Sequence, residues 1–185
     1  MRNFLIGLGV VAVLIIISVI SGYNGIVSRH ENITEKWAQV ENQLQRRNDL
    51  IPNLVNSVKG YAAHEKTLFE DITNARSQWA KANTVEEKVK AASGIDSVLS
   101  KLLMVVENYP TLKADATFLK LMDELAGTEN RISVERMRYN QAVRDFNIAV
   151  KTFPGNIIAG MFGFKPATEY FKAEEAAKKV PEVKF

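Results

Sequence analysis

The sequence predicts an all-α protein: an N-terminal transmembrane helix followed by an antiparallel up-down four-helix bundle with long first and last helices. Three observations carry that expectation. Phe4 to Ile20 is apolar apart from Gly7, Gly9 and Ser18. Beyond it, apolar residues recur at alternating spacings of four and three, the signature of helices packed along a narrow seam as in a coiled coil. No period-two alternation persists in the chain, and short connections between sequential helices favour antiparallel neighbours.

Composition agrees with this class. The 185 residues fit one domain plus attachments, and at 46% hydrophobic they can bury a real core. There is no cysteine, which removes disulfides, thiolate chemistry and lipid attachment at an N-terminal thiol. The formal charge is +3, and setting aside residues 1–23, with Arg2 alone, leaves 23 basic against 21 acidic residues. That balance argues against nucleic acid as a partner.

The chain divides into a transmembrane anchor (1–23), a helical bundle (24–153) and an apolar, glycine-containing segment with a charged tail (154–185). Counted on to Tyr23, the first run has the ~20 residues a helix needs to cross a bilayer. It is long for the apolar core of a cleaved signal peptide, whose cleavage site would be Val19-Ile20-Ser21, so an uncleaved anchor is the favoured reading. Orientation rests on Lys and Arg counts. Arg2 and the α-amino group on one side face Arg29 and Lys36 on the other, which is nearly a tie.

The first bundle helix, beginning near Asn24 or continuous with the anchor, carries Ile33, Trp37, Val40, Leu44, Arg47, Ile51, Leu54, Val58 and Tyr61 on one seam. Pro52 falls inside it. Its missing donor and its crowding of the Asn48 carbonyl predict a kink, and the seam continues in phase beyond it. A second helix from about Glu65 to Ala82 presents Leu68, Phe69, Ile72, Ala75 and Trp79. Thr84 and Glu87 form a capping box that opens a third helix, which Asn108-Tyr109-Pro110 stops. The fourth helix, from Ala114 to Thr152, is on the order of 55–60 Å long at 1.5 Å per residue. Its heptad runs Phe118, Met122, Leu125, Glu129, Ile132, Arg136, Tyr139, Val143, Phe146, Val150 and Phe153. Asn156 to Phe164 is apolar but too short to span a bilayer, and from Ala167 a short solvated helix and then a loose end from Val180 are expected.

Two groups of residues stand out as candidate sites. Arg47, Glu129 and Arg136 occupy seam positions where apolar residues belong. With Asn48, Asp49, Asn130 and Asn140 they can form a polar network between the first and last helices. Such a network fixes register more than it adds stability; a ligand or partner site is the alternative reading. Gly155, Ile157, Ile158, Ala159, Met161, Phe162, Gly163 and Phe164 form an apolar segment suited to docking on the bundle, to a membrane surface or to a second subunit. Gly155, Ala159 and Gly163 recur every fourth residue, a pattern that lets helices approach closely. His30 and His64 cannot build a histidine-rich metal site, and His64-Glu65 reads as a loop or cap. The sequence therefore names no catalytic, cofactor or metal residue.

Specific motifs add a family resemblance. Tyr23-Asn24-Gly25-Ile26-Val27, Trp37 through Gln43, Arg46 through Val55, Lys59-Gly60-Tyr61 and His64-Glu65 resemble the LemA family of bacterial envelope proteins. So do Thr128 through Ile132, Arg138-Tyr139-Asn140, Phe146-Asn147 and Phe153 through Pro166. The resemblance covers about residues 23–171. It implies a single-pass or lipid-anchored helical bundle of the cytoplasmic (inner) membrane, with the bundle on the outer, periplasmic side. Relatives commonly carry a lipid-attachment cysteine before the Tyr-Asn-Gly motif, and this chain does not. The family's genes often sit beside those of membrane proteases or other envelope proteins. Three functions remain open: a self-associating envelope scaffold in contact with membrane lipid, a ligand- or stress-sensing ectodomain, and an accessory to a membrane protease.

Overall fold

A computed structural model of the chain describes residues 1–62 and 64–171. The first helix, α1, runs without a break from Arg2 to Lys59. Anchor and first bundle helix are therefore one element, as the absence of any stop signal around Asn24 allows. The helix continues through Pro52. Side chains from Phe4 to Ile17, together with Ile20, are exposed, so the start of α1 is not buried by the described residues. This helix is long and apolar enough to cross a membrane.

Further along come α2 (Lys66–Lys81), α3 (Val85–Val106), α4 (Pro110–Lys113), α5 (Ala116–Lys151) and α6 (Gly155–Phe162). The six described helices include two short ones beyond the four expected. Pro110, expected only to stop the third helix, also opens α4: its missing N–H costs nothing in a first turn. α6 arises within the apolar segment after Pro154 and closes at Gly163, whose φ of 79° is the left-handed cap that glycine adopts without a Cβ penalty. Residues 164–171 are non-helical, and the rest of the short helix expected from Ala167 lies outside the described residues. The expected loose end from Val180 lies outside the described residues.

The chain forms two compact units, Gln39–Val134 and Met1–Ala38 with Glu135 onward. In the first unit, α2 packs on α3. Its core takes Val40, Leu44, Ile51, Leu54 and Val58 from α1, Leu68, Ile72 and Trp79 from α2, and Ile95, Leu99 and Leu102 from α3. α5 adds Phe118, Leu125 and Ile132. The start of α3 has the full capping box: Thr84 Oγ1 accepts from the Glu87 amide, and Glu87 accepts from the Asn83 and Thr84 amides. Those backbone donors, Asn83 first, pull the Glu87 carboxyl below its ordinary range.

The second unit is built on Ile26 of α1, Phe146 and Val150 of α5, and Ile158 and Ala159 of α6. Gly22 is what allows α6 to settle on α1, because a Cβ there would overlap Ile158 Cδ1. Phe153, placed at the end of the heptad by its spacing, is 79% exposed. The helix stops at Lys151, so the heptad no longer governs where that side chain goes.

Candidate functional site

In the unit 39–134, Arg47 is the largest fully buried side chain, at 2% exposure. It occupies a seam position of α1, where helical spacing points it inward between Leu44 and Ile51. Its Nη1 donates to Glu129 Oε2 at 2.8 Å and to Asp96 Oδ1. Both carboxylates reach in from the surface, with side chains 52% exposed at Glu129 and 31% at Asp96. The cation is thus desolvated while its counter-charges stay partly hydrated. Arg47 Nε and Nη2 are buried with no hydrogen-bond partner among the described residues. That leaves the paired edge of the guanidinium, the edge best shaped for bidentate acceptors, unused. Gln43 Oε1, Asn48 Oδ1 and Arg76 Nε are buried and unpartnered in the same unit.

The other polar candidates are placed differently. Asn48 is buried, and Asp49 accepts from Gln45 Nε2 at 2.7 Å. Gln45 in turn accepts from Trp79 Nε1 at 3.1 Å. Asn130 is exposed. The inward position beside Glu129 belongs to Thr128, which is fully buried and bonds back to the Leu125 carbonyl. Asp96 has no counterpart among the residues singled out from sequence. The available signal was an acidic residue beside Ile95 in an otherwise apolar run of α3.

Arg136 and Asn140 lie in the other unit and take part in a second arrangement there. Two asparagines seven residues apart on α5 grip the segment that follows α6. Asn140 exchanges two bonds of 2.9 Å with the Phe171 amide and carbonyl. Asn147 does the same with Ala167 at 2.8 Å and also donates to Tyr170 Oη. Each side-chain amide thereby closes a ring with a backbone peptide. Phe171 stacks on Trp37, with centroids 5.9 Å apart, meets Tyr139 edge-on and lies under the Arg136 guanidinium at 5.2 Å. Burial, reinforced by the nearby Glu169 carboxylate, pushes the Tyr139 phenol up to about 12.

In the apolar segment, Ile158 and Ala159 are buried in the core of this unit. A Cβ at Gly155 would overlap the Ala149 carbonyl, so Gly155 and buried Ala159 serve contacts within the chain. Phe164 packs near Tyr23, His30 and Phe146. Phe162 touches Tyr23, with centroids 4.6 Å apart, yet remains half exposed. Ile157, Met161 and Phe153 face outward.

Among the described residues no group of three or more His, Asp or Glu side chains is placed to hold a metal ion. The geometry offers buried charge, helix contacts and apolar surface.

Comparison with known proteins agrees with that picture. Magnetosome protein MamQ 2 of Paramagnetospirillum magneticum is 30% identical over 207 aligned positions, covering 92% of this chain and 76% of the relative. Magnetosome protein MamQ of Magnetospirillum gryphiswaldense is 27% identical, covering 83% of this chain and 66% of its own. Protein LemA of Metamycoplasma hominis is 29% identical over 116 positions, covering 62% and 53%. With its apolar N-terminal helix, the chain is membrane-associated. The LemA family model matches residues 36–185, and the chain belongs to the LemA family.

Proposed function

We propose that the protein is a non-catalytic envelope scaffold, held in the cytoplasmic membrane by α1, whose antiparallel four-helix bundle assembles with further copies of itself. The observation that carries this reading is α6. Its inner residues Ile158 and Ala159 lock it onto the unit core, while Ile157 and Met161, one turn apart, point outward beside exposed Phe153. Three exposed apolar side chains on a short, fixed helix, Ile157, Met161 and Phe162, suit a docking surface better than a free end. The chain contains no cysteine, so single cysteines report cleanly. Ile157→Cys and Met161→Cys should form disulfide-linked dimers in native membranes, with Lys101→Cys on α3 as the negative control. Monomers throughout, together with an unchanged particle size for Ile157→Lys in mild detergent, would remove self-association from the reading.

A second reading, a ligand- or stress-sensing domain, draws on the unused donors of Arg47 and the unpartnered acceptors of Asn48 and Gln43. It predicts a small molecule that raises the melting temperature of wild type and leaves Arg47→Met unaffected. Service as an accessory to a membrane protease is compatible with the same exposed surface.

A further inference from the structure

The unit built on residues 1–38 and 135–171 contains an open groove of about 650 Å³ between α1, the end of α5 and α6. One wall is a single face of α1, where Leu14 and Ile17 give way to Ser18 and Ser21, then to Arg29. Ile158 and Pro154 line the other side. Polarity changes in one direction along the groove. The end within the membrane-spanning stretch is apolar, the middle offers hydroxyls, and the far end carries a guanidinium. From Leu14 to Arg29 is roughly 22 Å at 1.5 Å per residue. One leaflet with its headgroups measures about the same, ~20–22 Å.

Among the described residues, Arg29 is the one charged side chain lining this groove. It donates to the Gly25 carbonyl at 2.9 Å and makes no ion pair among the described residues. Glu31 and Glu35 line a neighbouring surface that Arg29 also borders, and neither of them lines the groove. We propose that the groove is a binding site for one anionic phospholipid. Its acyl chain lies along Leu14 and Ile17, its glycerol region beside Ser18 and Ser21, and its phosphate at Arg29. The site lets the protein read the charge of the leaflet it sits in. This inference rests on the membrane reading and is independent of self-association.

The test uses the full-length protein in nanodiscs of phosphatidylcholine with a minor fraction of phosphatidylglycerol. The lipid retained after mild detergent extraction is counted by native mass spectrometry. About one phosphatidylglycerol per chain should be retained in preference to phosphatidylcholine. Arg29→Gln should weaken that preference about fivefold, the weight of one basic side chain near anionic headgroups. Ser21→Phe, at an exposed position, fills the groove and should abolish retention with Arg29 intact. Equal retention of both lipids overturns the proposal. So does loss in Arg29→Gln with full retention in Ser21→Phe, because diffuse surface charge then accounts for the effect. A chain that enters no nanodisc overturns the membrane reading and this inference together.

Discussion

At the residue scale, Arg47 is an expensive group in an apolar seam. Burial of a guanidinium removes its hydration in full, whereas only Nη1 of Arg47 has partners. When one member of a buried ion pair is removed, most of the damage comes from the partner left charged and dry. Here Asp96 and Glu129 reach water, so that penalty is small. Arg47→Met should therefore leave the urea midpoint unchanged or raise stability by up to about 2 kcal/mol. Arg47→Ala, which empties the same volume, should cost about 2–4 kcal/mol. A large loss in the methionine variant would show that the charge itself holds the unit together. Tyr139 gives a second residue-scale prediction. Its folded pKa of about 12 lies above the ordinary value of 10, so the folded state keeps the phenolic proton where the unfolded chain releases it. The contribution is fully present below pH 10 and is lost as pH rises toward 12. Stability measured across that window should fall more steeply in wild type than in Tyr139→Phe. Absorbance at 295 nm should show a late-titrating tyrosine that is missing in Tyr139→Phe.

At the element scale, the sequence made the helices legible and left their accessories obscure. The seam of α1 from Val40 to Val58 and the inner face of α3 are buried largely as their spacing predicts, because period and burial are the same physical fact in a packed helix. The capping box at Thr84 and Glu87 was readable for a similar reason, since it is purely local. The segment gripped by Asn140 and Asn147 was not. Its bonds span 31 and 20 residues, and the short stretch from Ala167 to Phe171 carries no periodic mark of them. Asn147→Ala removes two bonds to the Ala167 peptide and one to Tyr170, and should release the segment at a cost of about 1–3 kcal/mol. Limited proteolysis after Glu169 by a glutamate-specific endoprotease should then quicken while α5 keeps its amide-exchange protection. Equal cleavage rates in wild type and variant would mean that these asparagines do not hold it.

At the scale of the whole molecule, the question is which side of the membrane the helices occupy. The polar network illustrates what a one-dimensional reading leaves out: Arg47 and Glu129 were visible as exceptions in two seams, but Asp96 enters from a third helix, and the register among three helices is not written in any one of them. Sidedness has the same character. The rule for orientation counts Lys and Arg near the ends of the span. Arg2 on one flank and Arg29 with Lys36 on the other differ too little to decide it. The family resemblance implies a bundle outside the cytoplasmic membrane, and we propose that placement for this chain. Lys101→Cys supplies the test, because Lys101 sits on the exposed face of α3 and its ion pair with Asp71 is itself exposed. A membrane-impermeant maleimide should label that cysteine in intact spheroplasts as fully as after lysis. Labelling only after lysis would put the bundle in the cytoplasm. Arg29 would then face the cytoplasmic leaflet, and the exposed face of α6 would meet cytoplasmic partners instead of envelope ones.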